Sequence, residues 1–415
     1  MKILVVTQYF WPESFIINDL VLHLHQQGHE VAVLTGKPNY PGGTVFEGYV
    51  GKGVQQECFA GKIDVFRVPL RPRNACSARD LALNYLSFVW SGLRHFSRQI
   101  HGREFDAILV FAPSPITAAI PAILLKWTKK AHLAIWIQDL WPESLAATGH
   151  VKNPVLLKLA EWAVRGIYRF ADTLLIQSRA FHGAVSRLTA DDGKIVYYPN
   201  SIDFSSGPGT QEFPLPAALV ELLQTRFCLV FAGNIGTAQS VETIVRAAEL
   251  LKKESDIRIV MVGSGSMLDW VRSRKEALQL DNLILAGRFP MHAMPEIYRY
   301  AAGLIVTLKD EDIFALTVPS KIQAYLASGR PIVAALNGEG ARIVEAAGAG
   351  LTCAAEDAEG LANRILTLQS MSEDQRRAMG KRGHDYFQEH FEMKRQAERL
   401  VDILAARIAT VKGGH

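Results

Sequence analysis

The first thirty-five residues do most to fix the fold class. An apolar run, Ile3–Thr7, leads into a helical stretch, Ile17–Gln27, closed by Gly28, and a second apolar run follows at Val31–Thr35. Strand, helix and strand at that spacing predict a β-α-β unit, with two parallel strands joined by a right-handed crossover. Runs at Ala107–Phe111, Leu133–Gln138 and Thr173–Ile176, each separated by room for a crossover helix, continue the pattern. Residues 1–200 therefore read as one doubly wound α/β domain.

A chain of 415 residues exceeds what one core usually supports, and the rhythm changes at Tyr197-Tyr198-Pro199-Asn200-Ser201-Ile202-Asp203. The turn-rich Ser205-Ser206-Gly207-Pro208-Gly209 that follows reads as the interdomain connection. A second series of apolar runs then begins at Cys228–Ala232, Arg258–Val262, Asn282–Ala286, Gly303–Leu308 and Pro331–Ala335. The expected architecture is α/β, with two facing Rossmann-like domains at 1–200 and 201–385. A helix over Tyr386–Ile408, within a closing segment 386–415, is expected to pack back on the first domain.

Composition narrows the class. With 49% hydrophobic and 21% charged residues the chain is neither disordered nor fibrous. Cys58, Cys76, Cys228 and Cys353 have no short spacing, which argues against a disulfide framework or a zinc site and fits a reducing compartment. The N-terminus enters a strand directly, without the features of a signal peptide. Phe111–Leu125, the longest weakly polar stretch, is too short to span a bilayer and is interrupted by Pro113, Pro115 and Pro121. A cytoplasmic protein without essential metal is expected. Residues 1–200 carry 21 Lys and Arg against 15 Asp and Glu, and the remainder 24 against 26. The first half is either the side that meets an anionic surface or acceptor, or simply solvated.

Ligands of open parallel sheets bind beyond the carboxyl ends of strands, which directs attention to the loops there. After Leu229–Ala232 comes Gly233-Asn234-Ile235-Gly236-Thr237-Ala238-Gln239, then a helix. Two glycines permit close backbone approach, and a helix N-terminus offers unpaired amides to a phosphate. A glycine turn with no ligand is the plainer alternative. Arg288, in Gly287-Arg288-Phe289-Pro290, is a candidate phosphate partner, and backbone near Phe289 a candidate base contact. Ser320 reads as an N-cap, and Lys321 places a cation in a first helical turn, against the usual dipole preference. A bound anion would remove that conflict. In the first domain, Asp139 follows the Leu133–Gln138 strand and is a candidate for binding a sugar hydroxyl or orienting the acceptor, or for capping a turn with Ser144. Glu13 with Trp11, then Lys37 with Asn39, and Glu143 are further acceptor-side candidates. Leu81–Arg103 mixes aromatic residues with Arg94, Arg98 and Arg103, as an interfacial amphipathic element or as a helix packing its aromatics inward.

Several of these strings together resemble family 4 of the retaining GT-B glycosyltransferases over nearly the whole chain. They are Gly28-His29-Glu30-Val31, the hinge Pro199–Asp203, the Gly233 loop, Val262-Gly263-Ser264-Gly265, Pro319-Ser320-Lys321 and Ala327-Ser328-Gly329-Arg330-Pro331. Gln8-Tyr9-Phe10-Trp11-Pro12-Glu13, Gly36-Lys37-Pro38-Asn39-Tyr40-Pro41 and Asp139-Leu140-Trp141-Pro142-Glu143-Ser144 are similar to bacterial surface-polysaccharide transferases of the L-fucosamine type. The resemblance implies a UDP-sugar as co-substrate, no other cofactor, and retaining transfer. It also implies a polyprenyl-diphosphate-linked glycan as acceptor, peripheral contact with the inner face of the cell membrane, and no nucleic-acid partner. Asp139, by its place after a strand, and Lys321, by its place in a first helical turn, are the candidate catalytic residues. Donor binding would fall to Gly233, Asn234, Gly236, Gln239, Arg288, Phe289, Lys309, Ser320 and Lys321. Trp11, Glu13, Lys37, Asn39 and Glu143 would meet the acceptor. The sequence also departs from the family: Leu316 and Ala324 stand where a Glu pair is usual, and the family's phosphate Arg and Lys fall near Asn234 and Gln239. A UDP-sugar 2-epimerase and a non-catalytic nucleotide-sugar-binding subunit are the alternatives on the same fold.

Overall fold

A computed structural model describes residues 1–73, 78–147, 153–204 and 213–413. The turn Ser205–Gly209 and Cys76 lie outside those residues. The chain divides into two compact units, Met1–Ser201 with Met393–His415, and Ile202–Glu392.

Unit 1 is built on strands β1 Lys2–Thr7, β2 Glu30–Gly36, β3 Gln55–Phe59, β4 Ile63–Val68, β5 Ala107–Ala112, β6 His132–Ile137, β7 Thr173–Ile176 and β8 Ile195–Tyr197. Their order is β3-β4-β2-β1-β5-β6-β7-β8, parallel throughout except for the β3–β4 hairpin. Such a sheet must be covered on both faces, so the central strands are buried end to end. Crossovers run outward in both directions from β1, which makes the gap between the β1 and β5 termini the switch point. The helices Ile16–Gln26 and Met393–Gly413 pack together on one face, where Met393, Ala397, Leu400 and Leu404 join Ile3, Val5 and Leu20 in a single core. The Tyr198 hydroxyl donates to the Gln396 carbonyl at 2.9 Å, and the Trp136 indole to the Tyr198 carbonyl at 3.1 Å.

Unit 2 carries β9 Phe227–Asn234, β10 Ile257–Ser264, β11 Leu283–Gly287, β12 Gly303–Thr307, β13 Ile332–Ala335 and β14 Gly350–Cys353. The order is β11-β10-β9-β12-β13-β14, all parallel, with its switch point between β9 and β12. Buried residues on its two faces form separate clusters, one around Val230, Leu304 and Tyr325 and one around Phe231, Ile259 and Val333.

The expected helix over Tyr386–Ile408 is corrected. It is two helices, Glu373–His390 and Met393–Gly413, broken at Phe391 and Glu392. Phe387 and Phe391 are buried in the core of unit 2, and the Ile202 amide donates to the Phe391 carbonyl at 3.2 Å. Apolar packing therefore holds the chain in unit 2 until Met393, seven residues past the expected boundary. The sequence pattern also passed over β3, β4, β8 and β14; β8 and β14 are only three and four residues long, β3 opens on Gln55-Gln56-Glu57, and β4 carries Asp64 and Arg67. Leu400→Ala should cost unit 1 about 2–5 kcal/mol through a lost core contact and the cavity left behind, measured as a lowered denaturant midpoint.

Candidate functional site

In unit 2 the switch point opens a real gap. β9 pairs with β12 only at Leu229 and Val230, and farther along the Ala232 amide donates to the Tyr325 hydroxyl at 3.0 Å. Lys321, second residue of the helix Ser320–Ser328, reaches into this region. Its Nζ lies 3.6 Å from the centroid of the Phe231 ring, and among the described residues it has no hydrogen-bond partner. Burial alone lowers its pKa from the usual 10.5 to about 7. The ring face offsets part of the lost hydration but accepts no hydrogen bond, so the ammonium is short of acceptors.

The glycine loop is shaped around that side chain. Gly233 has φ +123°, and a Cβ there would lie 2.8 Å from Lys321 Cε. A Cβ on Gly236 would lie 2.6 Å from the Asn234 amide nitrogen, which itself donates to Gln239 Oε1 at 3.1 Å. The Thr307 hydroxyl donates to the Gln239 carbonyl, and the Lys309 amide to Ala238 at 3.1 Å, which ties the loop to the end of β12. Gln239, Thr307, Phe314, Thr317, Ser320 and Lys321 line a pocket of about 240 Å³. The pocket thus brings Gln239, Ser320 and Lys321 together, with Gly233 against the lysine stem.

Three expectations change here. Ser320 is not an N-cap. Pro319 occupies that position and Ser320 is the first helical residue, with no side-chain cap present. Arg288 and Phe289 follow β11, the edge strand, and are not among the residues lining the pocket; Arg288 is exposed, and Phe289 packs 6.1 Å from Phe213. Phe231, Thr307 and Thr317 were passed over because an aromatic or a threonine in an apolar run carries no signal until the fold puts it beside a charge.

In unit 1 the loops after β1 and β2 are tied by Glu13. Its carboxylate accepts from the Phe10 amide at 3.1 Å, the Asn39 amide at 2.8 Å and the Tyr40 amide at 2.7 Å. Burial raises its pKa, and these amides oppose the rise. Lys37 is buried and donates to Gln55 Oε1 at 2.5 Å, while Asn39 donates to the Lys37 carbonyl at 3.0 Å and accepts from Asn84 at 3.4 Å. Arg67, also buried, donates to Glu57 at 2.5 Å, to the Gly36 carbonyl at 2.9 Å and to the Trp11 carbonyl. Glu13, Lys37 and Asn39 are thus buried and fasten these loops to one another through hydrogen bonds. Trp11 and Tyr40 remain open to solvent at 41% and 38% exposure.

Asp139, beyond β6, has its pKa pushed up to about 6 by burial. The Ser144 hydroxyl, the Leu140 amide and the Trp141 indole oppose that shift, and the Glu143 charge adds to it. Glu143 accepts from Arg187 at 3.1 Å on the surface. A carboxyl in that range gains or loses a proton near neutrality. Among the described residues no cluster of three or more His, Cys, Asp or Glu side chains could hold a metal ion.

Two doubly wound parallel-sheet units, with ligand-side loops at their switch points, are the architecture of GT-B enzymes. Residues 15–201 match the glycosyl transferase 4-like domain and residues 226–371 match glycosyl transferases group 1. The chain carries both domains and is a glycosyltransferase. It is 27% identical over 326 residues, 76% of each chain, to the probable glycosyltransferase WbjE of Pseudomonas aeruginosa. To the putative colanic acid biosynthesis glycosyl transferase WcaI of Escherichia coli K12 it is 25% identical over 339 residues, 79% of this chain and 82% of that one. Among solved structures, Anabaena Alr3699/HepE in complex with UDP superimposes with a TM-score of 0.67 at 13% identity, over 98% of this chain and 100% of that one. An E. coli structure described as trehalose-6-phosphate bound with UDP-2-fluoro glucose gives 0.69 at 13% identity, over 97% and 99%. These likenesses establish the GT-B fold.

The depressed lysine has a measurable signature. The unfolded chain keeps the Lys321 proton to about pH 10.5 and the folded unit only to about pH 7, so between those values the unfolded state binds more protons. Stability of the ligand-free protein from this group should rise with pH across that window. Lys321→Met should flatten the dependence in denaturant titrations run from pH 7 to 10.

Proposed function

We propose that the enzyme transfers a sugar from a UDP-sugar to a lipid-linked acceptor in surface-polysaccharide synthesis, with retention at the anomeric carbon. The observation that carries the donor side is the unpaired Lys321 ammonium at the switch-point pocket, beside Gly233 and the start of a helix. A diphosphate supplies what that group lacks, and the free amides of the first helical turn add partial positive charge. UDP or UDP-2-fluoro glucose in the Anabaena and E. coli structures supports a UDP donor. The name of the E. coli relative, a putative colanic acid biosynthesis glycosyl transferase, supports polysaccharide synthesis.

In the proposed step the bond between the anomeric carbon and the β-phosphate oxygen breaks as the acceptor oxygen bonds to the same face. The acceptor proton passes to the leaving phosphate oxygen. Lys321 and the Ser320 helix start stabilise the charge that develops there. Gly233, Asn234, Gly236, Gln239 and Lys309 cradle the donor phosphates and sugar. Asp139, ionised above about pH 6, accepts a hydrogen bond from the acceptor hydroxyl and orients it, with Trp11 stacking on a sugar ring and Glu143 nearby. The donor sugar is proposed to be a deoxyamino sugar such as an L-fucosamine derivative. Leu316 and Ala324 offer no side-chain acceptor where the family has two carboxylates, and a sugar with fewer hydroxyls needs fewer.

Mass spectrometry of glycans made from a panel of UDP-sugars and polyprenyl-diphosphate-linked acceptors tests the reading. Epimerisation of a UDP-sugar incubated alone, or no product with any acceptor, would overturn it. Lys321→Ala should lower kcat about 10²–10³-fold with the fold intact by circular dichroism. Binding of UDP should take up a proton, because the anion restores the charged amine, so affinity should fall as pH rises above 7. Calorimetry in buffers of different ionisation enthalpy reads that uptake, and it should vanish in the same variant. kcat/KM should fall below about pH 6 as Asp139 protonates, and Asp139→Asn should remove that limb.

A further inference from the structure

One layer of unit 1 is apolar on both of its sides. Right-handed crossovers from β4 to β5, β5 to β6 and β6 to β7 set the helices Ala78–Gln99, Ala119–Lys129 and Pro154–Phe170 on the same face of the sheet. The middle helix touches both of the others. Phe88, Phe96, Val164 and Ile167 are buried, as a helix on a sheet requires. The outward stripes are also hydrophobic. Leu86, Trp90 and Leu93 recur at helical spacing, with Trp90 at 68% exposure. Val155, Leu159 and Trp162 do the same on the third helix, with Trp162 at 76%. Trp127 bridges them, 56% exposed, with its ring edge-on to Phe170 at 5.3 Å. Packing on the sheet accounts for the inner stripes only, and soluble proteins seldom leave so extended an apolar patch in water. Among the described residues no helix is long and apolar enough to cross a membrane.

Charge identifies what covers the patch. The three helices carry eight Lys and Arg against two acids, Asp80 and Glu161, a net of +6. That equals the whole excess of residues 1–200, 21 against 15. Arg94 and Arg98 stand four and eight residues after Trp90, and Lys158 and Arg165 lie within one turn of Trp162. Lys126 pairs with Asp172 at 2.6 Å, but Arg94, Arg98, Lys158, Arg165 and Arg169 are exposed, and an aromatic surface flanked by such cations is complementary to an anionic plane, whereas a second copy of the chain would bring like charges together.

We propose that this helical layer docks the protein on an anionic phospholipid bilayer, with Trp90, Trp127 and Trp162 entering the headgroup region and the flanking Arg and Lys meeting lipid phosphates. The inference deepens the lipid-linked acceptor reading by naming the surface that brings the enzyme to its acceptor. Vesicles that contain no acceptor test it apart from catalysis. In flotation at low ionic strength, the full chain should bind phosphatidylglycerol-containing vesicles at least about tenfold more tightly than pure phosphatidylcholine. Trp90→Glu with Trp162→Glu should reduce that binding at least about tenfold, with circular dichroism and UDP affinity unchanged. Arg94→Glu with Arg98→Glu should abolish the preference for phosphatidylglycerol. Wild-type binding by the tryptophan variant, or no binding of the wild-type chain to either vesicle, would overturn the proposal. So would a wild-type dimer that the tryptophan variant converts to monomer, which would assign the patch to a second copy. Loss of vesicle binding with transfer to a water-soluble acceptor intact separates this surface from the donor and acceptor sites.

Discussion

Lys321 is held where β9 and β12 part, its ammonium against the Phe231 ring and short of acceptors. Much else in unit 2 follows from accommodating it. Gly233 must be glycine, because a methyl group there would press on the lysine stem and φ +123° is closed to other residues without strain. Tyr325 must supply a hydroxyl, since the strand that would otherwise meet the Ala232 amide has diverged. A pKa near 7 instead of 10.5 measures the standing cost, roughly a few kcal/mol. A protein carries such a cost at a site where a ligand removes it, and an anion at the pocket does so by restoring both charge and hydrogen bonds.

Glu13 shows the opposite treatment of a buried charge. It too is taken from water, but three backbone amides meet its two oxygens, so unlike Lys321 it is not short of partners. Its work is mechanical: it joins the loop after β1 to the loop after β2, with Arg67 bracing both at the Trp11 and Gly36 carbonyls. The tied loops keep Trp11 beside Phe59 and Tyr40 beside Tyr9 and Phe15 while leaving both partly open to solvent. The distinction between the two buried charges is one of satisfaction, and only atomic contacts reveal it.

That distinction marks what could be read from the chain alone. The β-α-β rhythm, the two sheets and the glycine loop were legible because periodicity and Gly placement are local signals. Lys321 was legible because a cation in a first helical turn contradicts the dipole. That Glu13, Lys37 and Asn39 fasten loops was not legible, because a polar residue just past a strand looks the same whether it faces a ligand or a neighbouring loop. Phe391 defeated the helix boundary for a similar reason: it packs into unit 2 against residues distant in sequence, and the helical pattern runs on without regard to that contact. The outward aromatics of Ala78–Gln99 were visible as composition, yet inward and outward stripes could be separated only once Phe88 and Phe96 were seen to be buried.

On the proposed donor reading, Leu316 and Ala324, where the resemblance expects a carboxylate pair, acquire a physical meaning. Ala324 packs half-buried against the unit 2 core, and Leu316 closes the short helix Asp312–Leu316 beside Thr317. A carboxylate at position 324 would be partly desolvated and would need a donor from the ligand to offset that cost. With alanine there, no group is left unpaired when a sugar hydroxyl is missing, whereas a site built to bond that hydroxyl would lose heavily in the same circumstance. Among the residues lining the pocket Lys321 is the charged one, so on the proposed donor reading no acid there opposes the diphosphate. On the proposed donor reading, affinity then resides mainly in the phosphates, and selection among sugars in shape and apolar contact.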